Sequence, residues 1–322
     1  MSALVTGATG FVGSHLVDAL VAENWRVRCL VRRSSDLRWI PQQRIELAYG
    51  GLDEPAALGN ALGGVEVVFH LAGVTSALTR DGYFRVNVDG TRRLVEVVSK
   101  HAPGALLVLC SSLAAAGPAR TGRPLTEADP PIPIGPYGES KLAAERLVGS
   151  SGLRHVIVRP PAVYGPRDRD MLHAFRFAAR GWAPRIGPST QRISMVHARD
   201  LTRGFLAAAR RGAGRGIYYI SNGAVYTWQE VTAVIAGAVG RPVRALPVPL
   251  PIAMATSLAS RLLARVTGAR PLLTPDRVRD LAQPDWSCDS TRARVELGYV
   301  PSVTLREGMR DTAIWYRAQG WL

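Results

Sequence analysis

Short apolar runs alternate with amphipathic stretches along the first half of the chain. Two of the runs, Val65–His70 and Leu106–Cys110, are almost continuously apolar, which is typical of parallel strands buried on both faces. The predicted strands are Ala3–Val5, Val27–Val31, Ile45–Ala48, Val65–His70, Leu106–Cys110 and Val156–Val158. The predicted helices begin near Val12, Pro55, Val86 and Pro136. This alternation predicts an α/β protein with a doubly wound parallel sheet.

The pattern changes after Pro160, where proline and glycine become more frequent and the elements shorter. We expect one domain over residues 1–160 and a smaller α+β lobe mainly over residues 161–322. The stretch Asp200–Arg210 predicts a helix that returns to the first domain. Part of residues 190–220 is therefore expected to complete that domain.

A glycine-rich turn follows the first predicted strand. Gly7, Gly10 and Gly13 are spaced three apart, and an amphipathic stretch follows them. Glycines in this arrangement permit a tight turn and a close approach of backbone N–H groups to a pyrophosphate. Because the turn joins a strand to a helix, the spacing favours a dinucleotide site over an ordinary turn.

Three polar residues form a candidate reacting group. Tyr137 and Lys141 lie four apart in the helix predicted near Pro136, so their side chains share one face. The nearby ammonium is expected to lower the pKa of Tyr137 toward neutrality, which makes the phenol a proton donor or acceptor. Ser112 follows the fifth strand and is expected at the carboxyl edge of the sheet, where doubly wound folds bind ligands.

The chain of 322 residues carries a net charge of +15, which raises the question of a nucleic acid or an acidic membrane as partner. Arginine supplies nearly all of this charge, since Lys100 and Lys141 are the two lysines, and the arginines are scattered. A GC-rich coding bias explains this composition, so we expect no nucleic acid partner. The cysteines Cys29, Cys110 and Cys288 lack metal-ligand spacing, and no metal site is predicted.

The start of the chain and its longest apolar stretch bear on membranes. Met1 almost adjoins the first strand, which leaves no room for a signal peptide and predicts a cytoplasmic protein. The charge-free stretch Ala245–Ser260 is too short and too rich in proline to span a membrane, and we interpret it as a helix that covers the second lobe. The alternative is a peripheral membrane contact. The residues beyond that stretch that favour this alternative are the apolar Leu262, Leu263 and Val266 and the basic Arg261, Arg265 and Arg270.

With these motifs in order, the chain resembles the extended branch of the short-chain dehydrogenase/reductase superfamily. That branch includes nucleotide-sugar epimerases, dehydratases, dihydroflavonol reductases and 3β-hydroxysteroid dehydrogenases. The resemblance covers nearly the whole chain and implies an NAD(P)-binding Rossmann domain over 1–160, a substrate-binding lobe mainly over 161–322 and a homodimer. Besides the glycine turn, it rests on His70-Leu71-Ala72-Gly73, Asn87-Val88-Asp89-Gly90-Thr91, Ser111-Ser112, Tyr137-x-x-x-Lys141, Arg159 to Pro166 and Val196 to Leu201.

The resemblance also implies a role for each matching residue. Tyr137 would be the general acid/base, Lys141 would hold the nicotinamide ribose, and Ser112 would position the reacting oxygen. Asn87 and Asp200 would be structural. The implied cofactor contacts are Gly7, Thr9, Gly10, Phe11, Val12, Gly13, Arg32, Arg33, Leu52, Leu71, Ala72, Gly73, Tyr137, Lys141, Pro160, Ala162 and Val163.

The end of the second strand bears on the choice of cofactor. The family places an acidic residue there for NAD, and the corresponding residue is Val31, followed by Arg32 and Arg33. Because an arginine can bind a phosphate bidentately, we expect NADP(H) to be preferred, with NAD(H) as the alternative. A second departure from the family pattern, Gly50-Gly51-Leu52 in place of Gly-Asp-Leu, leaves the adenine contacts open.

Two other departures bear on the reaction. Nucleotide-sugar relatives often carry an asparagine where this chain has Ala162. They also tend to have an arginine at the position nearest Ile193. Arg192 is one residue away from that position and would face the opposite side of its strand. We therefore expect a reductase or dehydrogenase that interconverts a ketone and a secondary alcohol on a hydrophobic small molecule. The alternatives are a nucleotide-sugar 4-epimerase or dehydratase with tightly bound NAD, and a non-catalytic dinucleotide-sensing protein. The apolar and aromatic residues of the second lobe that favour a hydrophobic substrate are Met171, Phe175, Phe177, Trp182, Met195, Tyr226, Trp228 and Trp286.

Overall fold

The computed structural model describes residues 1–120, 122–212, 214–267 and 273–322, without the side chains of 265–267. Of the positions named for a peripheral contact, Arg270 and the side chains of Arg265 and Val266 lie outside this description. The strands are β1 (Ser2–Thr6), β2 (Arg26–Val31), β3 (Glu46–Tyr49), β4 (Val67–His70), β5 (Leu106–Cys110), β6 (His155–Arg159), β7 (Ala162–Tyr164), β8 (Trp182–Arg185), β9 (Arg192–His197), β10 (Arg215–Tyr219), β11 (Val225–Thr227), β12 (Arg244–Pro247) and β13 (Asp285–Trp286). The α-helices are α1 (Phe11–Ala22), α2 (Pro55–Ala61), α3 (Arg80–Phe84), α4 (Gly90–His101), α5 (Pro136–Ser150), α6 (Leu172–Ala179), α7 (Ala198–Arg211), α8 (Trp228–Val239), α9 (Leu250–Thr267), α10 (Pro275–Leu281), α11 (Thr291–Leu297) and α12 (Leu305–Ala318).

A seven-stranded parallel sheet organises the first half of the chain, in the order β10-β6-β5-β4-β1-β2-β3. The prediction of a doubly wound parallel sheet is confirmed. β4 begins two residues later than predicted, because the Val65 N–H still closes the turn after α2 by donating to the Leu62 carbonyl. The chain reverses its direction across the sheet between β1 and β4, and such a switch point is where ligands bind in this architecture.

Helices cover both faces of this sheet and bury two apolar layers. Leu16 of α1 and Phe205 of α7 pack with strand residues on one face. Leu58 of α2, Leu94 of α4 and Val148 of α5 pack on the other face. The central strands, such as β4 and β5, are therefore buried on both sides, which explains their nearly continuous apolar sequences.

A second lobe is built on β9, which pairs with β7, β11 and β13. Its own apolar core joins residues of α6, α8 and α12. Two capping boxes start the latter helices, formed by Thr227 with Glu230 and by Thr304 with Glu307. From β9 the chain returns through α7 to the first domain, where β10 pairs with β6 in the large sheet. The division into domains at residue 160 stays a prediction.

The apolar stretch of the second lobe differs from its prediction. A helix was expected over Ala245–Ser260, whereas the structure has β12 over Arg244–Pro247, paired with β8, and then α9. Pro247 and Pro249 account for the late start of α9, because proline disfavours helical backbone at the residue before it. Among the described residues, no helix has both the length and the apolar character needed to cross a membrane.

Candidate active site

The glycine turn lies at the switch point of the large sheet. Gly7 adopts φ +72°, and a Cβ there would lie 2.5 Å from the Ala72 backbone nitrogen. A Cβ at Gly13 would lie 2.1 Å from the Gly7 carbonyl oxygen. These two glycines are therefore required for the turn to pack against the loop after β4 and against α1.

The N-terminus of α1 fits the pyrophosphate of a dinucleotide. Gly10 is the N-cap and contributes no side-chain acceptor to the first turn of the helix. The first N–H groups of a helix lack partners within it, and they bear the positive end of its dipole. An anion at this position would satisfy these donors, so the residues present fit the phosphates of a nicotinamide dinucleotide.

A neutral histidine ties the same edge of the sheet together. The His70 imidazole lies 2.7 Å from the Thr6 hydroxyl through Nδ1 and 2.9 Å from the Thr91 hydroxyl through Nε2. Complete burial lowers the pKa of His70 to about 3, so the ring is uncharged at neutral pH. The histidine therefore fixes β1, β4 and α4 relative to one another without placing a charge beside the candidate cofactor site.

Two arginines follow β2, whose last residue is a valine. Arg32 and Arg33 are exposed, and the Arg33 guanidinium lies 5.5 Å from the centroid of the Tyr49 ring. On the same loop, Arg38 forms an ion pair with Asp36 at 2.6 Å. Arg32 and Arg33 directly follow the carboxyl end of β2. A group bound there would meet positive charge.

The candidate reacting residues meet at the carboxyl edge of β5. The Ser112 side chain lies near enough to the Tyr137 phenol to lower its pKa, and the Ser112 hydroxyl accepts a hydrogen bond of 3.1 Å from the Ala114 N–H. Gly138 permits this contact, because a Cβ there would lie 2.2 Å from the Ala114 carbonyl oxygen. One helical turn after Tyr137, the buried Lys141 ammonium donates to the Cys110 carbonyl at 2.6 Å. The structure therefore brings the serine, tyrosine and lysine together, as expected.

The expected direction of the Tyr137 pKa shift is wrong. Burial raises the pKa of this phenol above its ordinary value and outweighs the opposing effect of the Ser112 side chain. The Lys141 ammonium does not compensate, since its hydrogen bond goes to the Cys110 carbonyl, and burial lowers its own pKa. In this structure the phenol therefore holds its proton at neutral pH.

A π-helical turn over Arg85–Asp89 joins α3 to α4, where the sequence predicted a regular helix from about Val86. Asn87 in this turn accepts from the Val74 N–H at 2.8 Å and donates to the Val74 carbonyl and the Ser140 hydroxyl. The amide therefore braces the loop after β4 against α5, as expected of a structural residue. Asp200 likewise ties α7 to the C-terminal segment by accepting from the Ser302 and Val303 N–H groups.

A buried ionic network lies directly beneath the reacting residues, and the sequence reading missed it. Arg159 donates two hydrogen bonds to Glu145, at 2.8 and 2.6 Å, and the two residues are 2% and 4% exposed. The Ser111 hydroxyl, next to Ser112, also donates to Glu145. The sequence contained one signal for this network, because Arg159 ends the apolar strand β6. A buried arginine needs a charged or polar partner.

The remaining predicted cofactor contacts lie on α1, in loops that follow strands of the large sheet, and on β7. The loop residues after β4 lie at the carboxyl end of that strand, and Pro160 directly follows β6, where its carbonyl accepts from the Leu113 N–H. Ala162 and Val163 are the first two residues of β7. Apart from the buried Gly13 and Pro160, these residues are at least partly accessible: Thr9, Gly10, Phe11, Val12, Leu52, Leu71, Ala72, Gly73, Ala162 and Val163. Their contact with a cofactor stays a prediction.

A buried apolar cluster adjoins the reacting residues, and one aromatic residue of the second lobe packs against it. Leu113, next to Ser112, packs in a cluster with Trp286. The Trp286 indole donates to the Asp280 carbonyl of α10 at 2.7 Å, and Asp280 contributes to the electrostatic environment of Tyr137. Other aromatics of this lobe are elsewhere: Phe175 is buried in its core, whereas Phe177 and Trp182 are exposed. Trp286 is thus a predicted aromatic that the structure places in the same cluster as Leu113, next to Ser112.

Comparisons with known proteins agree on one family. The family model for the NAD dependent epimerase/dehydratase family matches residues 3–221. A ceramide reductase from Caulobacter vibrioides is 34% identical over 99% of this chain and 95% of its own. Sterol demethylase protein B from Methylococcus capsulatus is 32% identical over the full length of both chains. The solved structure of MoeE5 with UDP-glucuronic acid and NAD is 27% identical, with a TM-score of 0.78, over 99% of this chain and 100% of that one.

Proposed function

Because the chain belongs to the NAD dependent epimerase/dehydratase family, whose matched members are enzymes of the extended short-chain dehydrogenase/reductase type, we propose a specific activity for it. It interconverts a ketone and a secondary alcohol on a hydrophobic small molecule, with NADP(H) preferred over NAD(H). The observation that carries this proposal is the placement of Ser112 beside Tyr137, with the buried Lys141 ammonium one helical turn away on the Cys110 carbonyl. We further propose a cytoplasmic homodimer.

The residues divide the chemistry among them. When bound, the nicotinamide supplies a hydride to the carbonyl carbon or accepts one from the alcohol. Tyr137 gives its phenolic proton to the carbonyl oxygen during reduction and takes it back during oxidation. Ser112 holds the reacting oxygen by hydrogen bonding, and Lys141 orients the cofactor ribose. The N–H groups of the first turn of α1 would hold the pyrophosphate.

Two features support an apolar substrate over a nucleotide sugar. Ile193 packs against the core of the second lobe, and the neighbouring Arg192 is occupied by Asp285, at 3.1 Å, and by the Gly122 carbonyl. Neither is therefore free to grip a sugar-nucleotide phosphate. The relatives named for ceramide and sterol chemistry support a lipid-like ketone or alcohol for this chain.

The first test is to denature the freshly purified protein and to identify any dinucleotide that it releases. We expect an empty site or a small fraction of NADP(H), because the cofactor of a reductase exchanges in every turnover. The same preparation should oxidise NADPH with a long-chain aliphatic ketone and leave UDP-glucose unchanged. Release of stoichiometric NAD⁺, together with turnover of a nucleotide sugar, would instead establish the epimerase or dehydratase alternative.

Replacing both arginines after β2 tests the cofactor preference. The Arg32→Ala/Arg33→Ala variant should raise the KM for NADPH by about 10-fold to 100-fold, because charge-assisted hydrogen bonds to a phosphate are lost. The KM for NADH should stay within about twofold, since NADH has no 2′-phosphate. The matched control is Arg38→Ala on the same loop, where the arginine is paired with Asp36. Equal KM values of the wild type for the two cofactors would contradict the NADP preference.

A further inference from the structure

The outward face of α9 is apolar, contrary to the usual pattern of a surface helix. Ala253, Ser257 and Ala264 are buried against the protein, so the opposite side of α9 faces outward. A soluble helix normally presents charged and polar residues on that side. Here Thr256 is its polar member. The exposed residues of this face are Pro251, Ile252, Ala255, Thr256, Leu258, Ala259, Leu262 and Leu263.

The side chains on this face are large as well as exposed. Ile252 is 55% exposed, Leu258 50%, Leu262 62% and Leu263 64%. Leu246 of β12, the strand that precedes α9 in the chain, is also exposed, at 42%. A contiguous exposed apolar patch on a soluble protein marks a surface that binds another protein or a membrane. We call the five residues Ile252, Leu258, Leu262, Leu263 and Leu246 together the α9 face.

The charge around the α9 face favours an anionic lipid surface as its occupant. From residue 231 to residue 275 the sequence has five arginines and no aspartate or glutamate. Arg241 and Arg244 are exposed just before and at the start of β12, whereas Arg261 in α9 is half-buried and its Nε is buried. Exposed apolar residues in a segment of the sequence that has cations and no acidic residues suit a bilayer with acidic headgroups. The arginines are: Arg241, Arg244, Arg261, Arg265 and Arg270.

Helix α9 is connected to the candidate active site through α10. α9 packs against α10, and the Asp280 carbonyl of α10 holds the Trp286 indole. Asp280 in turn acts electrostatically on the Tyr137 phenol. A membrane bound at the α9 face would therefore be separated by α10 from a residue that acts on Tyr137.

We propose that the α9 face docks the enzyme on anionic bilayers, from which it takes its hydrophobic substrate. The part that concerns the substrate rests on the function proposed above, whereas the docking itself does not. The helix would lie in the plane of the interface, with its exposed leucines among the acyl chains and the exposed Arg241 and Arg244 at the headgroups.

Vesicle flotation of the full chain tests the docking. Wild-type protein should float with vesicles of phosphatidylcholine and phosphatidylglycerol, and less with phosphatidylcholine alone or in high salt. Leu258→Gln/Leu262→Gln should reduce the bound fraction relative to the free fraction more than tenfold, because two apolar side chains no longer enter the bilayer. The control is Val295→Gln/Ile314→Gln, which alters two equally exposed apolar residues on α11 and α12, and it should float like the wild type. Wild-type protein that binds no vesicles, or α9 variants that bind as well as it does, would overturn the proposal.

Three further outcomes are distinguishable. If the wild type ignores vesicles but forms a dimer that Leu258→Gln/Leu262→Gln dissociates, the α9 face binds a second copy and the docking proposal is wrong. If all three proteins reduce a short, water-soluble ketone equally, while the α9 variant alone is slower on a ketone embedded in vesicles, both proposals are supported. If vesicles bind as expected but no ketone is reduced, the docking stands and the proposed function fails.

Discussion

Tyr137→Phe should lower kcat for ketone reduction by about 100-fold to 10,000-fold, the range that a positioned proton donor contributes. Only the hydroxyl is removed, and the ring can still pack against Tyr83, whose centroid lies 6.1 Å away. Dinucleotide affinity should therefore stay within about twofold of the wild type. The measurement is kcat with NADPH and an apolar ketone, beside a fluorescence titration of NADPH.

Ser112→Ala provides the comparison for this loss. The serine positions the oxygen but transfers no proton in the proposed mechanism, so its removal should cost less than that of the phenol. The raised pKa of Tyr137 keeps the phenol protonated at neutral pH, and it is therefore ready to donate to a developing alkoxide. A Tyr137→Phe variant that retains more than a tenth of the wild-type kcat, with unchanged affinity for NADPH, would remove the tyrosine from the mechanism.

The large sheet was predictable because its central strands are buried on both faces and so have nearly continuous apolar sequences. That pattern also placed the site, since the glycine turn after β1 and Ser112 after β5 must share the carboxyl edge of a parallel sheet. The four-residue spacing from Tyr137 to Lys141 added the third member. Their meeting thus follows from topology and helix periodicity, both of which are local or nearly local properties.

Features that depend on side-chain surroundings were not predictable in the same way. The pKa of Tyr137 follows from how deeply the phenol is buried, and spacing along the helix carries no information on burial. The π-helical turn around Asn87 needs one extra residue in a helix whose amphipathic pattern looks regular. The start of α9 was misjudged because proline position, rather than hydropathy, sets where that helix begins.

The network beneath the site leads to the second prediction. Glu145→Ala should lower the free energy of unfolding by about 3–5 kcal/mol, because it leaves the Arg159 guanidinium buried without a counter-charge. The same substitution also removes the acceptor of the Ser111 hydroxyl. The urea midpoint, followed by circular dichroism and by tryptophan fluorescence, measures this loss.

Glu139→Ala is the matched control, because Glu139 lies on the same helix and pairs with Arg80 at 3.1 Å. The side chains of that pair are 41% and 58% exposed, so its removal should cost less than about 1 kcal/mol. Equal losses for the two variants would mean that the buried pair contributes no more than an exposed one.

A double substitution separates the unpaired charge from the lost attraction. Glu145→Met/Arg159→Met removes both charges and keeps comparable volume, so it should recover much of the stability that Glu145→Ala loses. Activity should not recover with it, because Glu145 raises the pKa of Lys141 against the effect of burial, and Met at 145 withdraws that support from the charged ammonium. Recovery of stability together with full activity would confine Glu145 to neutralising Arg159. Recovery of stability alone would place Glu145 among the residues that keep Lys141 charged and able to hold the ribose.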